Sequence, residues 1–248
     1  MSSGHLKRLV APRSWNIARK ERTWTTKPMP GKHSLEGALP ISTILRDYLK
    51  VCDNNREAKI ILHNRDVFVD QRVVNKPKYP VGLMDIISIP KIKLHVRAML
   101  DKHGRIEFVP IKAADSKWKL ARVENKRNIK GGHTQINLHD GTNILSKEKV
   151  KTGDVLQLNL PDLKVKKVLK FKKGAQSLII GGAHVGSIST IMGEETTRST
   201  KPNLVMYENF QTIRPYSFVV GEKKAMISLP EVKVCLLYTS DAADESDR

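Results

Sequence analysis

Cysteine is nearly missing from this chain: there are two in 248 residues, Cys52 and Cys235. Neither belongs to a C-x-x-C pair, so no zinc-binding sequence is visible. The eight histidines are scattered singly, which also argues against a metal cluster. No metal and no cofactor is expected. So little cysteine fits a reducing cytoplasm. Aromatic residues make up 5% of the chain, too few for reading a single strand by successive base stacking. No apolar run reaches the length of about eighteen residues that a membrane span requires. The N-terminus lacks the apolar centre of a secretory signal, so no membrane partner is expected. Catalytic sequence sets are missing too: there is no GxxxxGK with Ser or Thr, no HExxH and no GxSxG. Cys52 has no nucleophile context. His139 and Asp140 form the best acid–base pair by eye, but Asp140-Gly141 is also a routine hairpin turn. The sequence therefore predicts no enzyme, no catalytic residue and no small-molecule substrate.

Acidic residues are the other scarcity. There are 44 Lys+Arg against 25 Asp+Glu, a formal charge of +19 with a pI near 10.0. Such a balance implies a polyanionic partner, nucleic acid first. With few aromatics, recognition should rest on phosphate and shape contacts. The length suits one large domain or two to three small ones.

The chain is organised around the stretch from Asn54 to Ile89. A short helix, capped by Asn54 or Asn55, carries Ala58, Ile61 and Leu62 on one face. Arg56, Lys59 and His63 lie on another, near first-turn N–H groups that suit a phosphate, and Arg65 follows. Val67 to Val69 starts a strand, Asp70-Gln71 turns, and Arg72 to Val74 returns. A turn at Val81 to Asp85 leads into the strand Ile86 to Ile89. Ahead of this block, residues 39–51 form an amphipathic helix with Ile41, Ile44, Leu45, Tyr48 and Leu49 as its apolar stripe.

This order resembles the small RNA-binding αL motif. Two further stretches extend the resemblance. Gly4-His5-Leu6-Lys7-Arg8-Leu9-Val10-Ala11-Pro12-Arg13-Ser14-Trp15 looks like the opening of the S4e family of archaeal and eukaryotic small-subunit ribosomal proteins. Leu178-Ile179-Ile180-Gly181-Gly182-Ala183-His184-Val185-Gly186 looks like a KOW element in an SH3-like barrel. The ordered set spans nearly the whole chain. It implies an α+β, multidomain fold and a structural role in the small ribosomal subunit. The implied partners are small-subunit rRNA, in its 5′ region, and neighbouring ribosomal proteins. The alternatives are an RNA-modifying enzyme of the pseudouridine-synthase type and a KOW-type transcription or translation factor.

The remaining segments fill in around these motifs. Residues 1–37 read as a basic, proline-broken arm, expected to order only on RNA. Trp15 and Trp24 are its only large apolar anchors, and packing on the body is the favoured role for both. Residues 38–91 are the αL-type domain, and 92–171 a central β domain. There Lys119 to Lys126 is expected to be a strand with outward charge. Residues 172–220 are the KOW barrel, followed by a segment at 221–234. Residues 235–248 carry four acids and one base and are expected to be a non-native tail. The predicted RNA contacts are Lys7, Arg8, Arg13, Arg19, Lys20 and Arg22 in the arm. Arg56, Lys59, His63 and Arg65 follow on the helix. Lys172, Lys173, Gly182, His184 and Gly186 complete the set in the KOW piece.

Overall fold

Strands dominate the computed structural model, which describes residues 4–129, 132–146, 148–222 and 224–227. The expected α+β composition is mostly β, with few helices. The helix expected over 39–51 is shorter: Ile41–Thr43 is α-helical and Ile44–Tyr48 continues as a π-helix. There the Leu49 N–H donates to the Ile44 carbonyl, five residues back, at 2.9 Å. Pro40 stands before the helix in extended backbone, as the last residue of the strand Ala38–Pro40.

The second helix, Asn55–His63, has a side-chain cap. Asn54 Oδ1 accepts from the N–H groups of Arg56 and Glu57, at 2.9 and 3.0 Å. The Glu57 carboxylate accepts from the Asp53 N–H at 2.9 Å. Asn54 thus caps the helix and Glu57 reaches back to the residue before the cap, so two of the donors expected to face a phosphate are already engaged. Ala58 and Leu62 are buried, and Ile61 packs half-buried against the same core.

One antiparallel sheet has the spatial order Arg72–Val73, Phe68–Val69, Ile86–Ile89, Leu94–Leu100 and Ile106–Pro110. It runs without a break across residue 91, where the sequence suggested a domain boundary. A tight 3-10 turn at Pro90–Ile92 joins the strands, and Val96, Ala98 and Ile106 enter the core that holds Leu62 and Ile87. A second five-stranded sheet orders Asn143–Ser146, Thr134–Leu138, Trp118–Asn128, Val155–Asn159 and Lys164–Leu169. Two three-stranded sheets follow. One places Gln176–Ile179 between Ile188–Thr190 and Ser217–Gly221; the other places Leu204–Met206 between Gly193–Glu195 and Gln211–Ile213. Leu120, Val155 and Leu169 share a core with Ala175, Leu178 and Phe218, so the apolar packing also crosses residue 171.

The arm is not an open extension. Trp15 is 2% exposed and lies with Ala11 in the first core. Leu6–Lys7 pairs with Trp24–Thr25, and the Ile106 N–H donates to the Ser14 carbonyl at 2.8 Å. Too poor in apolar residues to order alone, the segment is packed against the body through these contacts. The expected tail at 235–248 and most of 221–234 lie outside the described residues. Among those described, no helix is long and apolar enough to cross a membrane.

Candidate nucleic-acid interface

Arg56, Lys59 and His63 project from the solvent side of the helix whose other side buries Ala58 and Leu62. Arg65, at φ 60°, ends it in the left-handed region, its N–H donating to the Leu62 carbonyl at 3.1 Å. That conformation costs a non-glycine residue on the order of 1 kcal/mol. Among the described residues, none of these four forms an ion pair with a carboxylate.

The arm divides its cations. Lys7, Arg13, Lys20 and Arg22 are exposed. Arg8 is not: it is 3% exposed, donates to the Ala18 carbonyl and pairs with Asp47 at 3.4 Å and Glu21 at 3.7 Å. Its guanidinium is satisfied internally and has no surface to offer a phosphate. Arg19 is half-buried and clamps the arm, donating to the carbonyls of Leu9, Ala11 and Pro12 at 3.2, 2.8 and 2.9 Å.

The turn between Leu94–Leu100 and Ile106–Pro110 brings the arm and the KOW-like loop together. On one side, His103 and Arg105 line a cavity of about 540 Å³ with Arg13 and Arg19. Sequence reasoning named neither as a contact; the Arg105 charge was the available signal. On the other side, Gly186 (φ 80°) approaches so closely that a Cβ would lie 2.7 Å from the Asp101 carbonyl. Gly186 is therefore required by the protein's own backbone. Gly182 (φ 87°) is exposed, and His184 beside it stacks on Phe210 with ring centroids 4.1 Å apart. Lys172 and Lys173 are exposed ahead of the strand Gln176–Ile179.

A second set of charges is buried. Lys119, expected to point outward, is 1% exposed. Its Nζ donates to Asp70 at 2.7 Å, Asp85 at 3.2 Å and Asp140 at 2.6 Å. From the arm, Lys32 reaches Asp70 at 2.7 Å and His33 Nε2 reaches Asp85 at 2.8 Å. Burial raises the Asp140 carboxyl, but Lys119 pulls it further the other way, to about 2. Asp85 is held well below the ordinary carboxylate range, its burial overcome by Lys119 and His33. Asp70 moves up, because burial and the neighbouring Asp85 outweigh its cations. Burial lowers His139 to about 4 against the pull of Asp140. The three carboxylates converge closely enough to ligate a cation, but the Lys119 ammonium fills that place. Asp140 is thus both a turn residue and an internal ion-pair partner, and no acid–base chemistry is open to it.

The hairpin turn at Asp70-Gln71 belongs to this cluster. Both residues have positive φ, 51° and 61°, the type I′ pattern that favours Asn-Gly or Asp-Gly. Gln71 is held there by donating from Nε2 to the Ser116 carbonyl at 3.1 Å, while Asp70 is held by Lys119 and Lys32.

Comparison with known proteins bears on this surface. A family model described as Ribosomal family S4e matches residues 92–165, and one described as the RS4NT (NUC023) domain matches residues 2–36. Small ribosomal subunit protein eS4 of Methanosphaera stadtmanae is 46% identical over 92% of this chain and 96% of its own length. The chain belongs to the S4e family. The eS4 protein of Methanothermobacter thermautotrophicus is 42% identical, covering 92% of this chain and 97% of itself. The crystal structure of the 30S ribosomal protein S4e from Thermoplasma acidophilum superposes with a TM-score of 0.68 at 31% identity, over 77% of this chain and 99% of that one. The S4e match over residues 92–165 spans Lys119 and Asp140, and the amino-terminal match spans Lys32 and His33, whereas the helix face of Arg56, Lys59, His63 and Arg65 lies between the two matched ranges.

Proposed function

We infer that this chain is a structural constituent of the small ribosomal subunit that holds rRNA mainly through phosphate and shape contacts. One observation carries the reading: among the described residues the surface of Arg56, Lys59, His63 and Arg65 is cationic and has no ion-pair partner, whereas the Lys119 ammonium is matched by three buried carboxylates. An unpaired basic face on a rigid helix is suited to a phosphate backbone.

The proposed contacts are that face, Lys7, Arg13, Lys20 and Arg22 of the arm, His103 and Arg105 of the hairpin, and Lys172, Lys173, Gly182 and His184 near the loop. Arg19 supports the arm, and Arg8 and Gly186 leave the set for the reasons of burial and backbone contact given above. In this reading residues 38–91 form an αL-type unit extended by the strands that follow it. Residues 92–171 supply a β domain and residues 172–220 an SH3-like barrel sharing its core. Neighbouring ribosomal proteins are further partners, and the chain works in the ribosome. The S4e family is non-catalytic, which removes the RNA-modifying alternative, and the arm with the αL-type unit disfavours a free KOW factor. The test is co-sedimentation of the full chain with small subunits that lack it. Stoichiometric recovery with the particle is expected; recovery only in the free-protein fraction would contradict the reading.

A further inference from the structure

Trp24 is 56% exposed, unusual for the largest apolar side chain on a protein whose other arm tryptophan is fully packed. The ribbon register explains why. Leu6 pairs with Thr25 on the inner face, and Lys7 pairs with Trp24. Thr25 is buried and Leu6 packs on the core, so Lys7 and the indole share the outer face. The ring is met by His5, with centroids 5.7 Å apart and planes tilted by 59°.

Beside the indole runs a slot of about 300 Å³. Its walls include Asn55 and Lys59 from the start of the helix, and Lys27 and Lys78 from the two segments alongside. Among the described residues, three lysines and no carboxylate line it. The hydroxyls of Thr26 and Ser42, 3.3 Å apart, also border it. An indole face next to clustered ammonium groups matches the two halves of a nucleotide: a flat base and a phosphate. A duplex keeps its bases stacked and offers none to the ring, so the slot selects an unpaired position.

We propose that this slot takes one unstacked nucleotide of an RNA strand, its base lying on the Trp24 indole and its phosphate reached by Lys59 and Lys78. The proposal rests on the ribosomal reading and specifies the form of RNA that this part of the surface takes. Its test is tryptophan fluorescence of the full chain titrated with single-stranded hexa-adenylate and, separately, with a blunt RNA duplex. Trp15 is buried and Trp118 lies under Arg97 at 4.6 Å, so Trp24 is the indole a base can reach. Hexa-adenylate should quench part of the emission and the duplex should not. Trp24→Ala should weaken hexa-adenylate binding by about tenfold, within the range of one lost stacking contact. Trp24→Phe should restore most of the affinity, measured by anisotropy of labelled hexa-adenylate, while abolishing the quenching. Quenching that survives in Trp24→Phe, or undiminished binding by Trp24→Ala, would overturn the proposal. So would an indole silent to RNA that shifts to shorter wavelength in the assembled subunit, since that outcome assigns it to a protein neighbour. None of these results touches the ribosomal reading, which is decided separately by co-sedimentation.

Discussion

Lys119 and Lys59 carry the same charge to opposite ends. Lys119 is enclosed by three carboxylates within 3.2 Å, and its field is cancelled inside the protein. Lys59 stands on an exposed helix face with no acid paired to it among the described residues. The first therefore contributes to the fold, joining the hairpin turns at Asp70 and Asp140 and, through Lys32 and His33, the arm. The second contributes almost nothing to the fold and is available to an anion. Net charge counts both alike; burial and partners separate them.

The largest way to break this contrast is Lys119→Met. It leaves three buried carboxylates without their shared ammonium, and breaking a buried pair typically costs about 3–5 kcal/mol. Urea denaturation should register a loss of that order. A change under about 1 kcal/mol would mean the cluster is relaxed by water.

Acid should act on the same cluster. His139 is lowered to about 4 from an ordinary value of about 6.5. Between those values the unfolded chain binds a proton that the folded chain refuses, so stability falls as pH drops through this window. Asp140, held at about 2 against about 3.9 when unfolded, adds a second loss of about 2–3 kcal/mol as pH falls through that lower range. Asp70, with its raised carboxyl, acts the other way, since protonating it relieves a buried charge. The expected outcome is a melting temperature that declines from near neutral pH downward. A flat profile to pH 4 would argue that His139 is protonated in the fold.

On the exposed side, Arg56→Gln, Lys59→Gln and Arg65→Gln together should leave melting within about 0.5 kcal/mol of the parent. The same triple variant should lose RNA affinity. Early melting would show that these residues hold the helix rather than a ligand.

The smallest effect concerns the turn that links both regions. Gln71→Gly relieves a positive φ but removes the hydrogen bond to Ser116. The two terms oppose, each near 1 kcal/mol, so the net change in a thermal melt should stay within about 0.5 kcal/mol. A larger loss would make the Ser116 contact the more important term.

The helix Asn55–His63 was legible in the sequence, because apolar spacing reports an element that buries one face. The expected cationic residues of that helix are also where the spacing put them. The Lys119 cluster was not legible. Its strand is buried on both sides, Leu120 entering one core and Ala121 and Val123 another, so alternation gave no cue that the lysine turns inward. Its acids are far apart in the chain, and each reads locally as a turn residue. Composition could not divide the arm either. Trp15 and Trp24 look equivalent until pairing with Leu6–Lys7 fixes which face of the ribbon is outward. The cap was half visible: Asn54 was named, but the bond from the Asp53 N–H to Glu57 was not foreseen.

The central claim, that exposed unpaired cations carry the RNA contact while buried paired ones carry the fold, is tested most directly by salt. Affinity for small-subunit rRNA should be measured against salt concentration for the parent, the triple Gln variant and Lys119→Met, the last kept under conditions where it is folded. Log affinity should fall by roughly 0.7–0.9 per log unit of salt for each phosphate contact. The triple variant should be shallower by about two to three such contacts, and Lys119→Met should keep the parent slope. Equal slopes for parent and triple variant, or a shallower slope for Lys119→Met alone, would contradict the account.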